Sequence, residues 1–331
     1  EGSVIMQHRL SIEGLGYSLR PVQLTDARFI LKIRLEDMGR TQYIHEIPDD
    51  IELEENWIRK YFQRNGDFFF IIENKITGQP EGTIAIYDME DGRAEWGRWV
   101  VQKGSLAAAE SVDLIYKVAF QKLNLRELYC RTIEKNSSVV SFHDSLPQKR
   151  RGILKDFFEL RGELYNAVEH YVDKEYYLEE LSPVLEKKAF AIFQRNLRTA
   201  VGKFQFHHIG VACSSLERDR KAFQFLGYQA ESPCFTDSSQ GIMGQFMVAN
   251  NQPRIELLQN LEGSTTLTPY LEKGVKLYHF AYSVDQIEKA CEYLVKCRAK
   301  MMSPLKESVY FGKRICFLML SNMFLIELVE E

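Results

Sequence analysis

An internal repeat in the second half of the chain constrains its fold more than any other feature. Shifting residues 207–260 by 71 positions aligns them with 278–331, so His208 falls on His279 (279 − 208 = 71) and Glu256 on Glu327 (327 − 256 = 71). The interval from histidine to glutamate is 48 residues in both copies (256 − 208 and 327 − 279). A repeat of this kind indicates two related structural modules.

Each copy is predicted to contain a strand with the histidine, a capped helix, two or more strands, and a last strand with the glutamate. The helix starts are predicted at Ser214 with Glu217 and at Asp285 with Glu288, because a capping residue followed three positions later by Glu is typical of a capping box. The glutamates of the last strands alternate with apolar neighbours, so they should point away from the apolar face.

The histidines and glutamates of the repeat are candidate metal ligands. One module offers one imidazole and one carboxylate, which is a poor site, whereas two modules about a pseudo-two-fold axis bring two of each to one cavity. Such a set suits one divalent metal (magnesium, manganese, cobalt, nickel, zinc or iron) and leaves positions for water or substrate oxygens. The alternative is a folded repeat with an empty site, which the cost of unpartnered glutamates in apolar strands disfavours. The predicted ligands are His208, Glu256, His279 and Glu327.

Residues 204–331 resemble the vicinal oxygen chelate (glyoxalase/dioxygenase) superfamily, and within it most of all methylmalonyl-CoA epimerase. The resemblance rests on His207-His208-Ile209-Gly210-Val211-Ala212, Arg254-Ile255-Glu256-Leu257-Leu258, Tyr278-His279-Phe280-Ala281 and Leu325-Ile326-Glu327-Leu328. It implies paired βαβββ modules and places the four family ligands on the same four residues. It also implies that Glu327 is catalytic, abstracting a proton while it is bound to a metal that stabilises the enolate.

Two details of this half depart from a simple two-base epimerase. The family has a further carboxylate on the strand before the first glutamate motif, whereas residues 241–246 contain no acid. Two-base epimerisation therefore lacks one obvious base. His207 should face the other side of its strand from His208, since side chains alternate along a strand, and is predicted to be structural.

The first half alternates strands and helices and resembles the GNAT acetyltransferase fold, most closely its RimJ/RimL-type branch. Apolar spacing predicts helices over 25–35, 54–62, 106–123 and 139–145, and strands over 17–22, 68–73, 82–87, 94–101 and 128–133. The resemblance rests on Tyr17-Ser18-Leu19-Arg20-Pro21, on residues 77–84, on residues 94–100, and on Asn136 before a short helix. It implies a mixed central sheet with flanking helices and transfer of an acyl group from acetyl-CoA or another acyl-CoA to an amine.

The loop at 102–107 is the candidate site for the coenzyme A pyrophosphate. The family uses a Q/R-x-x-G-x-G/A loop before a helix, where backbone N–H groups and the positive helix end bind the anion. The predicted cofactor-binding residues are Gln102, Lys103, Gly104, Ser105 and Ala107, together with Asn136. The alternative is an ordinary helix N-terminus.

His143 and Glu95 are the candidate catalytic residues of this half. His143 occupies the position of the family tyrosine that protonates the departing thiolate, and an imidazole can do the same work. A solvent-facing helical histidine is the alternative. Glu95 could deprotonate the amine directly or through water, with a structural salt bridge as the competing interpretation. Lys149-Arg150-Arg151 is predicted to be a solvated turn, with contact to a phosphorylated acceptor or to the phosphate of the coenzyme as the alternative.

The division of the chain follows from these two halves. We expect a tag or disordered start at 1–10, a GNAT-like domain at 11–178, a linker helix at 179–202 and a metal domain at 203–331, giving an α+β protein. The 46 acidic and 42 basic residues give a net charge of −4, which argues against nucleic-acid binding, and no apolar run approaches a membrane span of ~20 residues. No signal peptide is evident. The 6 cysteines indicate reduced core thiols in a cytoplasmic protein that acts on small molecules and could form a homodimer.

Two functions remain open for the whole chain. In one, it is a bifunctional enzyme that acylates an amino sugar or other small amine and also isomerises a substrate by enolisation, and both activities could use one acyl-CoA. In the other, the metal half is a non-catalytic ligand-binding or dimerisation module.

Overall fold

The computed structural model describes residues 7–331 and divides into two compact units. One unit extends to Asn196 and the other runs from Leu197 to Glu331. The division falls inside a helix at Ser182–Val201, which occupies the place of the predicted linker helix at 179–202. Of the expected tag or disordered start at 1–10, residues 1–6 lie outside the described residues. Within the described residues, no helix is both long and apolar enough to cross a membrane.

The first unit is built on a mixed eight-stranded sheet in the order β1-β2-β3-β4-β5-β6-β8-β7. Its strands are β1 Ile12–Glu13, β2 Tyr17–Pro21, β3 Phe68–Asn74, β4 Pro80–Glu90, β5 Arg93–Val101, β6 Glu127–Ile133, β7 Lys149–Leu160 and β8 Glu163–Asp173. Its helices are α1 Ala27–Leu35, α2 Met38–Thr41, α3 Ile51–Tyr61, α4 Ala108–Lys117, α5 Ser137–Asp144 and α6 Lys174–Tyr176, followed by α7 Ser182–Val201 across the division. A 3-10 turn at Leu24–Asp26 precedes α1, and π-helical turns at Val118–Lys122 and Tyr177–Leu181 extend α4 and α6.

The β7–β8 hairpin has no counterpart among the elements predicted for this half. The basic run from Lys149 to Arg151 is the start of β7, not a turn. Arg151 bonds to Glu127 at 2.7 Å and Lys149 to Asp173 at 3.2 Å. Because β7 is an edge strand with most side chains exposed, its sequence shows no apolar alternation from which a strand could be predicted.

The parallel strands β5 and β6 separate partway along their length. They pair only from Arg93 to Glu95, opposite Glu127 to Tyr129. Beyond that point the two strands no longer pair, and residues of both strands line a cavity of about 750 Å³. On the other side of β5, the single β4 residue between Thr83 and Ala85 faces two residues of β5, Arg98 and Trp99, so β5 carries a bulge. Arg98 in this bulge has φ +47°.

The second unit contains a ten-stranded sheet whose central order is β10-β12-β13-β9-β14-β18-β17-β15. The first module comprises β9 Phe204–Cys213, α8 Leu216–Gln224, β10 Gln229–Ala230, β11 Phe235–Asp237, β12 Ile242–Val248 and β13 Ile255–Asn260, followed by α9 Thr268–Glu272. The second comprises β14 Leu277–Val284, α10 Ile287–Lys296, β15 Lys300–Met301, β16 Lys306–Glu307, β17 Arg314–Met319 and β18 Leu325–Glu330. The strands β9 and β14 meet antiparallel at the centre, and each has the last strand of its own module as its parallel neighbour.

The predicted capping boxes of the two modules are wrong in detail. Helix α8 is capped by Ser215, whose side chain accepts from Arg218 N, instead of by Ser214. Helix α10 begins after Gln286 and has no side-chain cap. The Asp285 carboxylate instead accepts a hydrogen bond of 2.7 Å from the Lys203 backbone N–H, so it ties β9 to the second module.

The repeat extends to contacts between helix and sheet. Arg220 of α8 lies 3.5 Å from Gln245 of β12, and the residues 71 positions later, Cys291 of α10 and Cys316 of β17, have their Sγ atoms 3.3 Å apart. All six cysteines are free, and four are buried as expected for core thiols, whereas Cys234 and Cys297 are exposed.

Candidate metal centre and acyl-transfer cavity

Four adjacent strands of the second unit, β13, β9, β14 and β18, each contribute one side chain to a single cluster. His208, Glu256, His279 and Glu327 are all buried, and their ligand atoms all lie within 4.8 Å of one another. His208 Nε2 is 3.0 Å from Glu256 Oε2, 3.1 Å from His279 Nε2 and 3.3 Å from Glu327 Oε2. His279 Nε2 is 3.4 Å from Glu256 Oε2 and 3.1 Å from Glu327 Oε2. The structure therefore brings the four predicted ligands together at the seam between the modules.

These distances fit the ligand shell of one divalent cation. Ligand atoms at about 2.1 Å from such an ion lie roughly 3.0 to 3.4 Å from one another, in tetrahedral or octahedral geometry. The buried Glu327 Oε2 makes no hydrogen bond to any described residue, although both imidazoles are close. An orphaned carboxylate oxygen facing two imidazole nitrogens is the donor set that a borderline metal ion prefers.

The charges of the four clustered side chains also favour binding of a cation. Burial alone lowers the pKa of His279, but the carboxylates of Glu256 and Glu327 outweigh it and raise that pKa to about 9. Burial would raise the pKa of Glu256, but the charge and hydrogen bonds of His208 and the proximity of His279 lower it to about 2. Two buried carboxylates are therefore kept ionised by neighbouring positive charge, which a bound cation would supply.

Gly210 allows the His279 ring to reach the cluster. It pairs with Glu256 on one side and His279 on the other, and a Cβ added to it would lie 2.3 Å from His279 Cε1. Only glycine leaves room there, because the imidazole rests on its Cα.

Replacing Gly210 with alanine is therefore expected to push the His279 imidazole out of position. We expect affinity for a divalent metal to fall at least tenfold, in the range caused by disturbing an orienting partner of a ligand. Metal titration followed by calorimetry checks this. Gly274→Ala is the control, because an added Cβ there meets nothing within 4 Å and the strain from its φ of +69° falls in a turn outside the four-residue cluster. Equal affinities for the Gly210 variant and the unsubstituted protein would contradict the expectation.

A second acid, missed by the sequence analysis, lies beside the cluster. As predicted, residues 241–246 contain no acid, but Asp237 on the short strand β11 lines a cavity of about 20 Å³ together with Glu256, His279 and Glu327. Burial opposes the charge of Asp237, but hydrogen bonds from Ser239 and Gln240 lower its pKa. It is therefore a weak base. A strand of three residues is too short for alternation to reveal, which is why Asp237 was overlooked.

Aromatic side chains, among them Tyr310 and Phe311, cover much of the cavity wall. Between ring centroids, Phe246 lies 5.6 Å from Phe311 and 4.8 Å from Tyr310. The Phe311 ring also lies 6.2 Å from the His208 ring. Because about 20 Å³ holds roughly one water molecule, a substrate must displace this aromatic cover.

The prediction that His207 faces away from His208 is wrong. Two residues of β9, His208 and Phe206, pair with the adjacent residues Ala281 and Tyr282 of β14, so His207 is the extra residue of a β-bulge. A bulge interrupts the alternation of side chains. His207 Nδ1 consequently lies 2.7 Å from His208 Nδ1.

The large cavity of the first unit gathers the predicted acyl-transfer residues. Its wall includes Glu95, His143 and Asn136, along with Trp96 and Arg131. The predicted loop residues at 102–107 are not in this wall, but Val101 and Ala108 on either side of the loop are. The cavity therefore extends from the acid on β5 to the start of the predicted pyrophosphate loop.

Glu95 has the electrostatics of a general base. Its carboxylate is buried and lies 3.2 Å from Arg131 Nη1. Burial raises the pKa of Glu95 to about 7, because the opposing charge of Arg131 is partly cancelled by Asp88 and Glu169. Glu95 thus forms a salt bridge with Arg131, as the competing interpretation expected, but this salt bridge does not offset the rise in the pKa of Glu95. A base with a pKa near 7 is suited to accept a proton at neutral pH.

His143 is buried, not exposed to solvent. Its ring lies 5.5 Å from Trp96 and 5.1 Å from His170, and its Nδ1 is 2.9 Å from Gln148 Oε1. Burial lowers the pKa of His143 to about 3. The ring is therefore neutral near pH 7, and its single proton is on Nδ1, because the Gln148 side-chain oxygen can only accept a hydrogen bond. Nε2 then carries no proton that could be donated to a thiolate.

The predicted pyrophosphate loop makes a tight turn before α4. Gly104 has φ +83°, and Ser105 N donates to Gln102 O at 3.0 Å. Lys103 N donates to the Glu36 carboxylate at 2.8 Å. The Ala107 side chain is fully buried at the start of the helix, so a small residue is required there.

Replacing Gly104 with alanine is expected to strain this turn, because the residue has φ +83°. A strain of about 1 kcal/mol corresponds to roughly a fivefold rise in the KM for acetyl-CoA. Steady-state kinetics with varied acetyl-CoA measure it. Gly78→Ala is the matched control, since Gly78 has φ +72° and an equally open Cβ position in a turn away from the cavity. If both variants change KM equally, the loop has no special part in binding the coenzyme.

Comparisons with known families agree with this description. Both units combine helices with sheets, so the chain is an α+β protein. Residues 18–146 match the family described as "Acetyltransferase (GNAT) domain", and residues 207–317 match the "Glyoxalase/Bleomycin resistance protein/Dioxygenase superfamily". The chain carries a GNAT acetyltransferase domain followed by a vicinal oxygen chelate domain, which confirms the two families and the fold class expected for the halves.

Several solved structures are similar to about half of the chain. Apo FdhC, described as a nucleotide-linked sugar GNAT, is 25% identical, with a TM-score of 0.46 over 56% of this chain and 99% of that chain. A chimera of the spermidine N-acetyltransferase SpeG from Vibrio cholerae and hSSAT is 20% identical, with a TM-score of 0.44 over 50% and 99%. A GCN5-related N-acetyltransferase from Brucella melitensis is 18% identical, with a TM-score of 0.49 over 56% and 86%. No curated protein matches the chain.

Proposed function

We propose that the chain is a bifunctional enzyme. Its GNAT domain transfers an acyl group from acetyl-CoA or another acyl-CoA to an amine, and its second domain is a metal-dependent isomerase that acts by enolisation. The observation that carries the first activity is a buried carboxyl with a pKa of about 7, that of Glu95, in the wall of the cavity where β5 and β6 separate. The observation that supports the second is the four-residue cluster of imidazoles and carboxylates.

In the acyl transfer, the Glu95 carboxylate accepts a proton from the acceptor amine, directly or through water. The amine nitrogen then attacks the thioester carbonyl, the new C–N bond forms as the C–S bond breaks, and coenzyme A leaves as the thiolate. We propose that water supplies the proton of this thiolate and that His143 only shapes the cavity wall, because its single N–H donates to Gln148 Oε1. The proposed acceptor is an amino sugar or another small amine.

In the second domain, His208, Glu256, His279 and Glu327 would hold one divalent cation. When bound, the cation supplies positive charge that polarises a substrate carbonyl and favours loss of the adjacent C–H proton. Glu327 is the proposed base for that proton, because its Oε2 is buried and makes no hydrogen bond to a described residue. An acyl-CoA is the proposed substrate, and the aromatic cover of Tyr310 and Phe311 would exclude water.

One observation favours the alternative, a single-activity protein whose second domain is a non-catalytic ligand-binding or dimerisation module. The cavity beside the four ligands measures only about 20 Å³. A domain that binds metal without turnover needs no larger space, whereas an isomerase must open its aromatic cover for each substrate.

Solvent exchange tests the two alternatives. Metal-loaded protein is incubated with propionyl-CoA or methylmalonyl-CoA in deuterium oxide, and incorporation at the carbon next to the thioester is measured by mass spectrometry. The proposal expects exchange that is lost in Glu327→Gln and retained in Glu95→Gln. Absence of exchange with the unsubstituted protein would favour the non-catalytic module. If acyl transfer and its products are also unchanged in Glu327→Gln, the two activities are not coupled.

A further inference from the structure

The bulges beside the two ligand histidines are equivalent in position but different in chemistry. In β9 the extra residue is His207, and in β14 it is Tyr278, which faces no partner residue between Leu277 and His279. The two are related by the repeat (278 − 207 = 71). Each bulge places the residue before the ligand next to the ligand ring, with centroids 5.0 Å apart in both cases.

The outer nitrogens of the two ligand rings differ as a result. His208 Nδ1 lies 2.7 Å from His207 Nδ1. His279 Nδ1 is buried and makes no hydrogen bond with any residue that the structure describes. The two imidazoles thus both point Nε2 into the cluster, but they differ at Nδ1, where only His208 has a partner among the described residues.

The protons in the His207–His208 contact can be assigned from the cluster. A histidine that binds a metal through Nε2 has no proton there, so the neutral His208 ring carries its proton on Nδ1. That N–H must donate to His207 Nδ1, which in turn is unprotonated and has its own proton on Nε2.

Arg254 packs against the His207 ring and fixes its place. Its Nη1 lies 3.2 Å from Nε2 and 3.3 Å from Nδ1, almost equally far from both, so the tautomer of His207 is set by the His208 contact and not by Arg254. Arg254 is itself fixed, because its Nε bonds to Glu231 at 2.6 Å and its guanidinium lies 4.1 Å from the Phe246 ring centroid.

We propose that His207 is a positioning residue for the metal centre, which accepts the Nδ1–H of His208 and so fixes the tautomer and orientation of that ligand alone. Outer partners of this kind orient a ligand ring and typically contribute 10- to 100-fold in metal affinity. The inference rests on the proposed metal site. It adds that, within the described part of the chain, only one of the two ligand histidines, His208, has an outer partner that orients it.

Cobalt(II) titration of the whole chain, followed by its visible absorption, tests the role of His207. We expect His207→Phe to bind cobalt about 10- to 100-fold more weakly. His207→Asn should stay within about threefold of the unsubstituted protein, because the Asn side-chain oxygen can replace Nδ1 as acceptor. Tyr278→Phe is the matched control in the equivalent bulge and should not change the affinity, since His279 receives no hydrogen bond from it.

The outcomes separate this inference from the metal site itself. If the unsubstituted protein binds no cobalt, the proposed site fails and the inference fails with it. If that protein binds cobalt and His207→Phe binds it equally well, or a folded His207→Asn is as weak as His207→Phe, the positioning role alone fails.

A measurement on the unsubstituted protein covers the case in which His207→Phe does not fold. In the zinc-loaded chain, nitrogen-15 NMR should show His208 protonated at Nδ1 and His207 protonated at Nε2. The opposite tautomer at His207 would overturn the inference.

Discussion

Glu95→Gln is expected to lower kcat/KM for acetyl transfer by about 10² to 10⁴, the usual contribution of a general base. The substitution keeps the size of the side chain and its place beside Arg131, but removes the group that accepts the amine proton. Steady-state kinetics with acetyl-CoA and an amine acceptor measure the loss. Activity retained within a factor of about three would show that Glu95 is only a partner of Arg131.

The pH dependence of the same reaction provides an independent test of Glu95 as the base. Because the pKa of Glu95 is raised to about 7, the active carboxylate form is lost as the pH falls through 7. kcat/KM should therefore rise with pH up to about 7 and then level, and this step should be absent in Glu95→Gln. Glu169→Gln is the matched control. Glu169 bonds to Arg131 at 3.1 Å, and its charge raises the pKa of Glu95, so its removal should shift the step to lower pH without abolishing activity.

His279→Ala is expected to remove most of the affinity for a divalent metal. Loss of a direct ligand should exceed the roughly 100-fold loss caused by disturbing an outer partner. The metal-free protein should also be destabilised by about 3 kcal/mol, because Glu256 and Glu327 lose a positive neighbour while they remain buried. Metal content after dialysis measures the first effect, and urea unfolding of the metal-free protein measures the second.

The control for this variant is His8→Ala, a histidine of the first unit that is partly buried beside Phe68 and Phe70. It should leave metal binding unchanged. Full metal content in His279→Ala would mean that the cation is held elsewhere.

The four ligands could be predicted from the sequence because their positions depend on features that a sequence records. The histidine and the glutamate each recur after a fixed interval in the sequence. Within each module the strands that carry them pair in parallel, β9 with β13 and β14 with β18, which aligns the ends of those strands. Once two modules pack at β9 and β14, the four side chains must meet. The fold of each half was likewise predictable from the order of its elements.

Local irregularities could not be predicted in the same way. His207 was expected to be structural and on the opposite face, and only the bulge in β9 brings its ring to His208. Asp237 lies on a strand too short to show alternation. The environment of His143 depends on tertiary packing of α5 against Trp96 and other aromatic rings, which its own helix does not encode.

The most direct test of the account is an anomalous difference map from crystals of this chain grown with saturating cobalt or zinc. The account predicts one peak per chain among His208, Glu256, His279 and Glu327, about 2.1 Å from one atom of each. A map without a peak among these four side chains, or with metal bound only elsewhere, would contradict it.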